Sequence, residues 1–352
     1  MSILAWILLA GGPHYVELRD ARWIGPSDAS GRSADAVERR YSCRLRPEPG
    51  RPAVRESLTE RSAQPFRDLL VSWNVDAPPR TGFVVEVRVG TESDGGLSPW
   101  MHIGDWGEPA LAPPLADRQS KCVGGEVLVD WFRGERTFRS AQVRVRGFAT
   151  AAGPEIEVQR LRICFSDREH AVAPLEPLDP RPFGRVLEVA PRSQMAERED
   201  VASRICSPTS LAMVMRFRGV DAPTMAVAER AFDPVHEIYG NWPRNVQAAY
   251  SFGVRGYLTF FSDWAAVEQT VAEGTPIIVS IAAKAGQLKG APYAATAGHL
   301  LVLVGFDREG NCVVNDPAAP ERASVRRVYD RAELQSVWMD RGGTAYVLEG
   351  QR

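Results

Sequence analysis

Four side chains in the second half of the chain have the types that acyl transfer through sulfur requires. That chemistry needs a thiolate to attack a carbonyl and an imidazole to take and return the proton. A third side chain must fix the imidazole, and donors must hold the oxyanion. Cys206 stands just before an expected helix, in Ile205-Cys-Ser-Pro-Thr-Ser-Leu-Ala-Met-Val. Pro208 suits the first helical turn, where a missing N–H costs nothing. The positive end of the helix dipole, and a nearby imidazolium, would favour thiolate at Cys206. His299 opens the apolar run Leu-Leu-Val-Leu-Val, and Gly298 before it leaves room for a thiol. Asp316 ends Val313-Val-Asn-Asp-Pro, and the turn at 307–311 should bring it back beside His299. A carboxylate there can accept the imidazole N–H and set its tautomer. Asn315 competes for that role. Gln194, upstream, offers an amide that could share an oxyanion hole with the Cys206 backbone N–H. Each residue also has a plainer reading: a buried thiol, a core histidine, an Asp-Pro turn or a loop glutamine.

The elements that must position these groups are legible from periodicity. Helices are expected over 208–218, 225–231, 245–251 and 264–273, the last ended by Gly274. Strands are expected over 277–282, 299–306, 312–315, 325–329 and 345–348. Helices first and strands after suggest an α+β domain over 193–352. Residues 170–192 read as a linker, because Pro174, Pro177, Pro180 and Pro182 hold the chain extended and remove donors. Residues 1–169 read as all-β. Phe83, Val85, Val87 and Val89 share one face of a strand, with Glu86 and Arg88 on the other. Leu69 to Val75 and Ala141 to Val145 repeat the alternation. A one-residue phase shift between Val158 and Leu161 suggests a bulge. Short strands between Gly and Pro clusters suggest a β-sandwich or jelly roll.

The 352 residues suit two domains. A net charge of −2 gives no support to nucleic acid or an anionic membrane as partner. No CxxC or HExxH spacing occurs, so no metal or cofactor is expected. Cys43, Cys122 and Cys164 could include one disulfide in an exported protein, or be three separate thiols. The apolar residues 3–10 lack a basic flank and are too short for a membrane span, so they read as an edge strand. Six of nine Trp fall in the N-terminal half. Trp73 reads as core, whereas Trp100 and Trp106 could be exposed and stack on sugar rings.

Taken in order, Gln194, Cys206-Ser-Pro-Thr-Ser-Leu-Ala-Met, Gly298-His-Leu-Leu-Val and Asn315-Asp-Pro resemble the C39-like peptidases of the papain-like superfamily. Residues 238–246 and 325–330 share in the resemblance, which spans about 186–348. It implies Cys206 as nucleophile, His299 as base, Asp316 as orienter and Gln194 as oxyanion donor. The family usually has Gly where this chain has Ser207, and a Cβ there would crowd the acyl site. The N-terminal half resembles, more loosely, the sandwich found ahead of such peptidases in some bacterial proteins. The resemblance implies a cysteine peptidase acting on peptide or isopeptide bonds, without a cofactor. A secreted or extracytoplasmic bacterial location goes with it. The alternatives are a silent peptide-binding module and a carbohydrate-binding surface protein. With no membrane span and no GxxxxGK[ST], leader trimming by a transporter-fused enzyme is not carried over.

Overall fold

The computed structural model describes residues 14–18, 23–24, 43–91, 96–108, 118–167, 169 and 181–351. Residues 3–10, Trp6 and the proline-rich stretch 170–180 lie outside them. The chain divides into two units, His14–Phe165 and one that continues from Ser166.

The first unit is all-β, a single curled sheet of eleven strands. In chain order these are β1 (His14–Leu18), β2 (Trp23–Ile24), β3 (Cys43–Leu45), β4 (Ala53–Ser57), β5 (Glu60–Asp76) and β6 (Thr81–Gly90). They continue with β7 (Met101–Gly107), β8 (Lys121–Cys122), β9 (Gly125–Leu128), β10 (Trp131–Ala149) and β11 (Ile156–Ser166). The long β10 is the spine. Its first half pairs with β5 and β9, and its second half with β6 and β4. The apolar face of β6 is buried as its alternation requires, but Glu86 on the other face is buried too. Arg144, directly opposite on β10, grips Glu86 with two hydrogen bonds of 2.5 and 3.0 Å. Arg88 donates to Gln142 at 2.7 Å. The Trp100 ring lies 4.4 and 4.5 Å from the Arg88 and Arg144 guanidiniums, so it stacks on protein cations. Trp106 is only 5% exposed and belongs to the core, which removes it as a sugar-stacking surface. No disulfide joins any of the five cysteines among the described residues.

The second unit is α+β. A short α1 (Glu199–Ala202) leads into α2 (Cys206–Phe217), α3 (Thr224–Ala231) and α4 (Trp242–Ser251). Then follow β12 (Val254–Phe260), α5 (Trp264–Ala272), β13 (Ile277–Ala283), β14 (Thr296–Phe306), β15 (Cys312–Asn315), β16 (Arg326–Tyr329), α6 (Arg331–Val337) and β17 (Thr344–Gln351). The antiparallel sheet runs β12-β17-β13-β14-β15-β16. The four expected helices and five expected strands are present, and α1, β12 and α6 add to them. α2 is buried continuously from Ser207 to Met215, the signature of a helix packed on all sides. Residues 181–192 do not stand free: Val186 pairs with Gly305, and Leu187 N–H donates to the Val304 carbonyl at 2.8 Å. Gly305 is required there, since a Cβ would overlap the Arg185 carbonyl oxygen. Among the described residues no helix is long and apolar enough to cross a membrane.

Candidate active site

Cys206 is the first residue of α2, so its N–H has no carbonyl one turn back within the helix to bond. Ser210, one turn on, donates to the Leu300 carbonyl at 3.1 Å and so ties the start of α2 to β14. His299 lies one residue before that tie. The thiol and the imidazole lie close enough to act on each other: His299 holds the Cys206 thiol down, and Cys206 helps to raise His299.

The β14–β15 hairpin supplies the third group. Asp307 fixes its turn by accepting from the Glu309 and Asn311 N–H groups, and Gly310 takes the left-handed conformation at φ 86°. Pairing then sets Asn315 opposite Val302, and Asp316 leaves the strand beside His299. Asp316 Oδ1 lies 2.8 Å from His299 Nε2. With Nε2 so occupied, Nδ1 is the ring nitrogen left for Cys206. Asn315, the competing orienter, is engaged elsewhere. Its Nδ2 donates to the Val189 carbonyl, and its Oδ1 accepts from Arg326.

Two residues that sequence reasoning missed complete the carboxylate's shell. Tyr293 and Tyr329 each donate a phenol to Asp316 Oδ2, at 3.1 and 2.7 Å. Oδ1 also accepts from the Ala318 N–H at 3.0 Å. The Tyr293 ring stands edge-on to the imidazole, 4.9 Å between centres. No local pattern marks either tyrosine, because both reach Asp316 from other segments.

The electrostatics follow from this arrangement. Burial pushes the Cys206 thiol up. The hydrogen bond and charge of His299, with the Leu300 and Ser207 N–H groups, outweigh that and hold it below its ordinary value. Burial pushes His299 down, and the Asp316 carboxylate reverses this and raises it to about 10. Burial pushes Asp316 up, but the charge of His299 and the donated hydrogen bonds hold it below the usual carboxylate range. Burial and then the Asp316 charge push both phenols far up, so both remain protonated donors. Cys312 is the contrast: burial alone dominates, and its thiol is pushed far up.

Gln194 is buried in a short 3-10 turn (Gln194–Ala196) and does not line the cleft. Its Nε2 donates to the Ala202 carbonyl at 2.8 Å, and its Oε1 has no hydrogen-bond partner among the described residues. Ser207 points into the domain. Its Oγ meets the Tyr346 hydroxyl at 3.0 Å and its side chain is fully buried, so its Cβ does not narrow the cleft. Cys206 opens into a cleft of about 500 Å³, whose walls include Arg204, Ile238, Tyr239, Trp242, Ile281 and Arg341.

A central helix whose first residue is a half-buried thiol, set against a sheet that carries a His–Asp pair, defines the papain-like class of α+β domain. Residues 186–346 match the Peptidase C39-like family, and residues 51–166 match the Peptidase C39 N-terminal domain. The chain therefore carries a C39-like peptidase domain preceded by a C39 N-terminal domain. No curated protein matches it.

Proposed function

We propose that the protein is a cysteine peptidase in which Cys206, His299 and Asp316 act as a triad on peptide or isopeptide bonds. The observation that carries this reading is the 2.8 Å contact of His299 Nε2 with Asp316, beside a Cys206 thiol that His299 holds down. The lowered thiol and raised imidazole favour a thiolate–imidazolium pair at neutral pH.

Cys206 Sγ attacks the substrate carbonyl carbon, and the carbonyl π electrons move to oxygen. The Cys206 N–H at the helix start is one donor to that oxyanion. The other donor is assigned to the second Gln194 N–H, the one not bonded to the Ala202 carbonyl. As the tetrahedral intermediate collapses, His299 Nδ1 gives its proton to the leaving amine, and the acyl group remains on sulfur. Neutral His299 then takes a proton from water, whose oxygen displaces Cys206 and yields the carboxylic acid. An incoming amine in place of water would give transfer by the same steps. Asp316 keeps Nε2–H bonded throughout and balances the imidazolium.

The test is alkylation by iodoacetamide across pH, with mass mapping of each thiol. Cys206 should react at a lower pH than an ordinary thiol, and Cys312 should stay inert in the folded chain. Equal rates at the two thiols would sink the reading and favour a silent binding domain.

A further inference from the structure

We infer that Arg341 is a specificity-determining residue that selects peptides carrying an Asp or Glu side chain close to the bond attacked. The inference rests on the peptidase reading and names its substrate class. The cleft wall is mostly apolar, with Ile238, Tyr239, Trp242 and Ile281 contributing, and its only charged members among the described residues are Arg204 and Arg341. No Asp or Glu lines it among the described residues. A cleft that carries two cations and no carboxylate repels basic peptides and attracts acidic ones, although the whole chain has a net charge of −2.

The two arginines differ in what already holds them. Arg204 donates to the Glu237 carbonyl and lies 5.5 Å from the Tyr239 ring centre. Arg341 is exposed, and its guanidinium has no hydrogen bond, ion pair or ring contact among the described residues. Three other arginines of this unit are matched, Arg331 with Glu268, Arg192 with Asp221 and Arg198 with Asp200, while Arg255, Arg308 and Arg322 are as unmatched as Arg341 among the described residues but do not line the cleft. The backbone that carries Arg341 is nevertheless fixed. Its N–H donates to the Trp338 carbonyl at 3.1 Å, and the buried Trp338 indole donates to the Thr344 carbonyl at 2.9 Å. Gly342 and Gly343 follow with φ of 103° and 67°, and a Cβ on Gly343 would overlap the Phe261 carbonyl. An unmatched cation on a rigid turn at the mouth of a catalytic cleft suits a ligand's carboxylate, and a planar guanidinium can grip it through two N–H groups.

The experiment uses the full chain and peptidyl vinyl sulfones with Glu, Gln or Lys at each of the two residues nearest the electrophile. The rate of adduct formation at Cys206 is divided by the iodoacetamide rate of the same variant, which removes differences in thiolate activation. The Glu probe should react about three- to tenfold faster than the Gln probe at one position, and the Lys probe slowest, as an exposed ion pair allows. The contrast should shrink as ionic strength rises from about 0.01 to about 1 M, where the Debye length falls from about 30 to about 3 Å. It should collapse in Arg341→Gln and persist in Arg341→Lys. A Glu probe no faster than Gln, or a contrast that survives Arg341→Gln, overturns the inference alone. Cys206 alkylating no faster than Cys312 overturns the peptidase reading and this inference with it.

Discussion

Each unit of the protein buries a histidine against an aspartate, and the two pairs have different company. In the first unit His102 Nε2 lies 3.1 Å from Asp105, but Arg118 Nη1 is 2.9 Å from both. Arg118 donates to the His102 lone pair and neutralises the carboxylate. The remaining nitrogen, Nδ1, is buried without a hydrogen-bond partner among the described residues. In the second unit Asp316 accepts the imidazole N–H, two phenols and the Ala318 N–H supply the rest of its hydrogen bonds, and the other ring nitrogen is left for the nearby thiol. A buried His–Asp pair is therefore not a site by itself. In the first pair a cation stands in third place; in the second, neutral donors and a nearby thiol do.

The sharpest break of this comparison is to remove each imidazole in turn. His299→Ala should slow acylation of Cys206 by an activity-based electrophile by about 10²–10⁴, the range for a lost general acid–base. His102→Ala should leave that rate where it was, and a fall there would sink the distinction. Charge is tested next. Asp316→Asn keeps a hydrogen-bond acceptor beside Nε2 but removes the charge that raises His299. The alkaline limb of the pH–rate profile, expected near the His299 value of about 10, should move acidward, and the rate should fall about tenfold or more. The same variant should lose stability. A raised His299 stabilises the fold fully below its ordinary value of 6.5 and loses that contribution as pH rises through about 10. Denaturant unfolding at pH 7 and pH 10 should therefore differ less in the variant than in the wild type.

The smallest effect belongs to Ser207→Gly. Losing the contact with Tyr346 should cost about 0.5–1.5 kcal/mol in thermal or denaturant unfolding, with little change in acylation rate. A large gain in rate would mean that the Cβ does crowd the acyl site.

Much of this arrangement was legible before any coordinates. Pro208 two places after Cys206 marks a helix start, because proline tolerates only the first turn. The Asp307-to-Asn311 turn between two apolar runs marks a hairpin, and its pairing determines that residue 316 returns beside residue 299. Period-2 alternation marks β6 and β10 because one face of each packs on a core. These signals are local: they depend on dihedral preference, on caps and on which side of an element is apolar.

What only the tertiary structure decided lies where distant segments meet. Tyr293 and Tyr329 come to one carboxylate oxygen from either side of the hairpin, and no period connects them to it. Ser207 looks intrusive beside a nucleophile, yet it faces Tyr346, 139 positions away. The polar face of β6 reads as solvated and is instead closed by Arg144, Arg88 and Trp100. Arg118 meets His102 from sixteen positions along the chain. Sequence alone determined which elements form and roughly where Cys206, His299 and Asp316 fall on them, because those depend on near neighbours. Packing decided which of two buried His–Asp pairs has a cation beside it and which has a thiol, because that depends on a third group that only folding brings near.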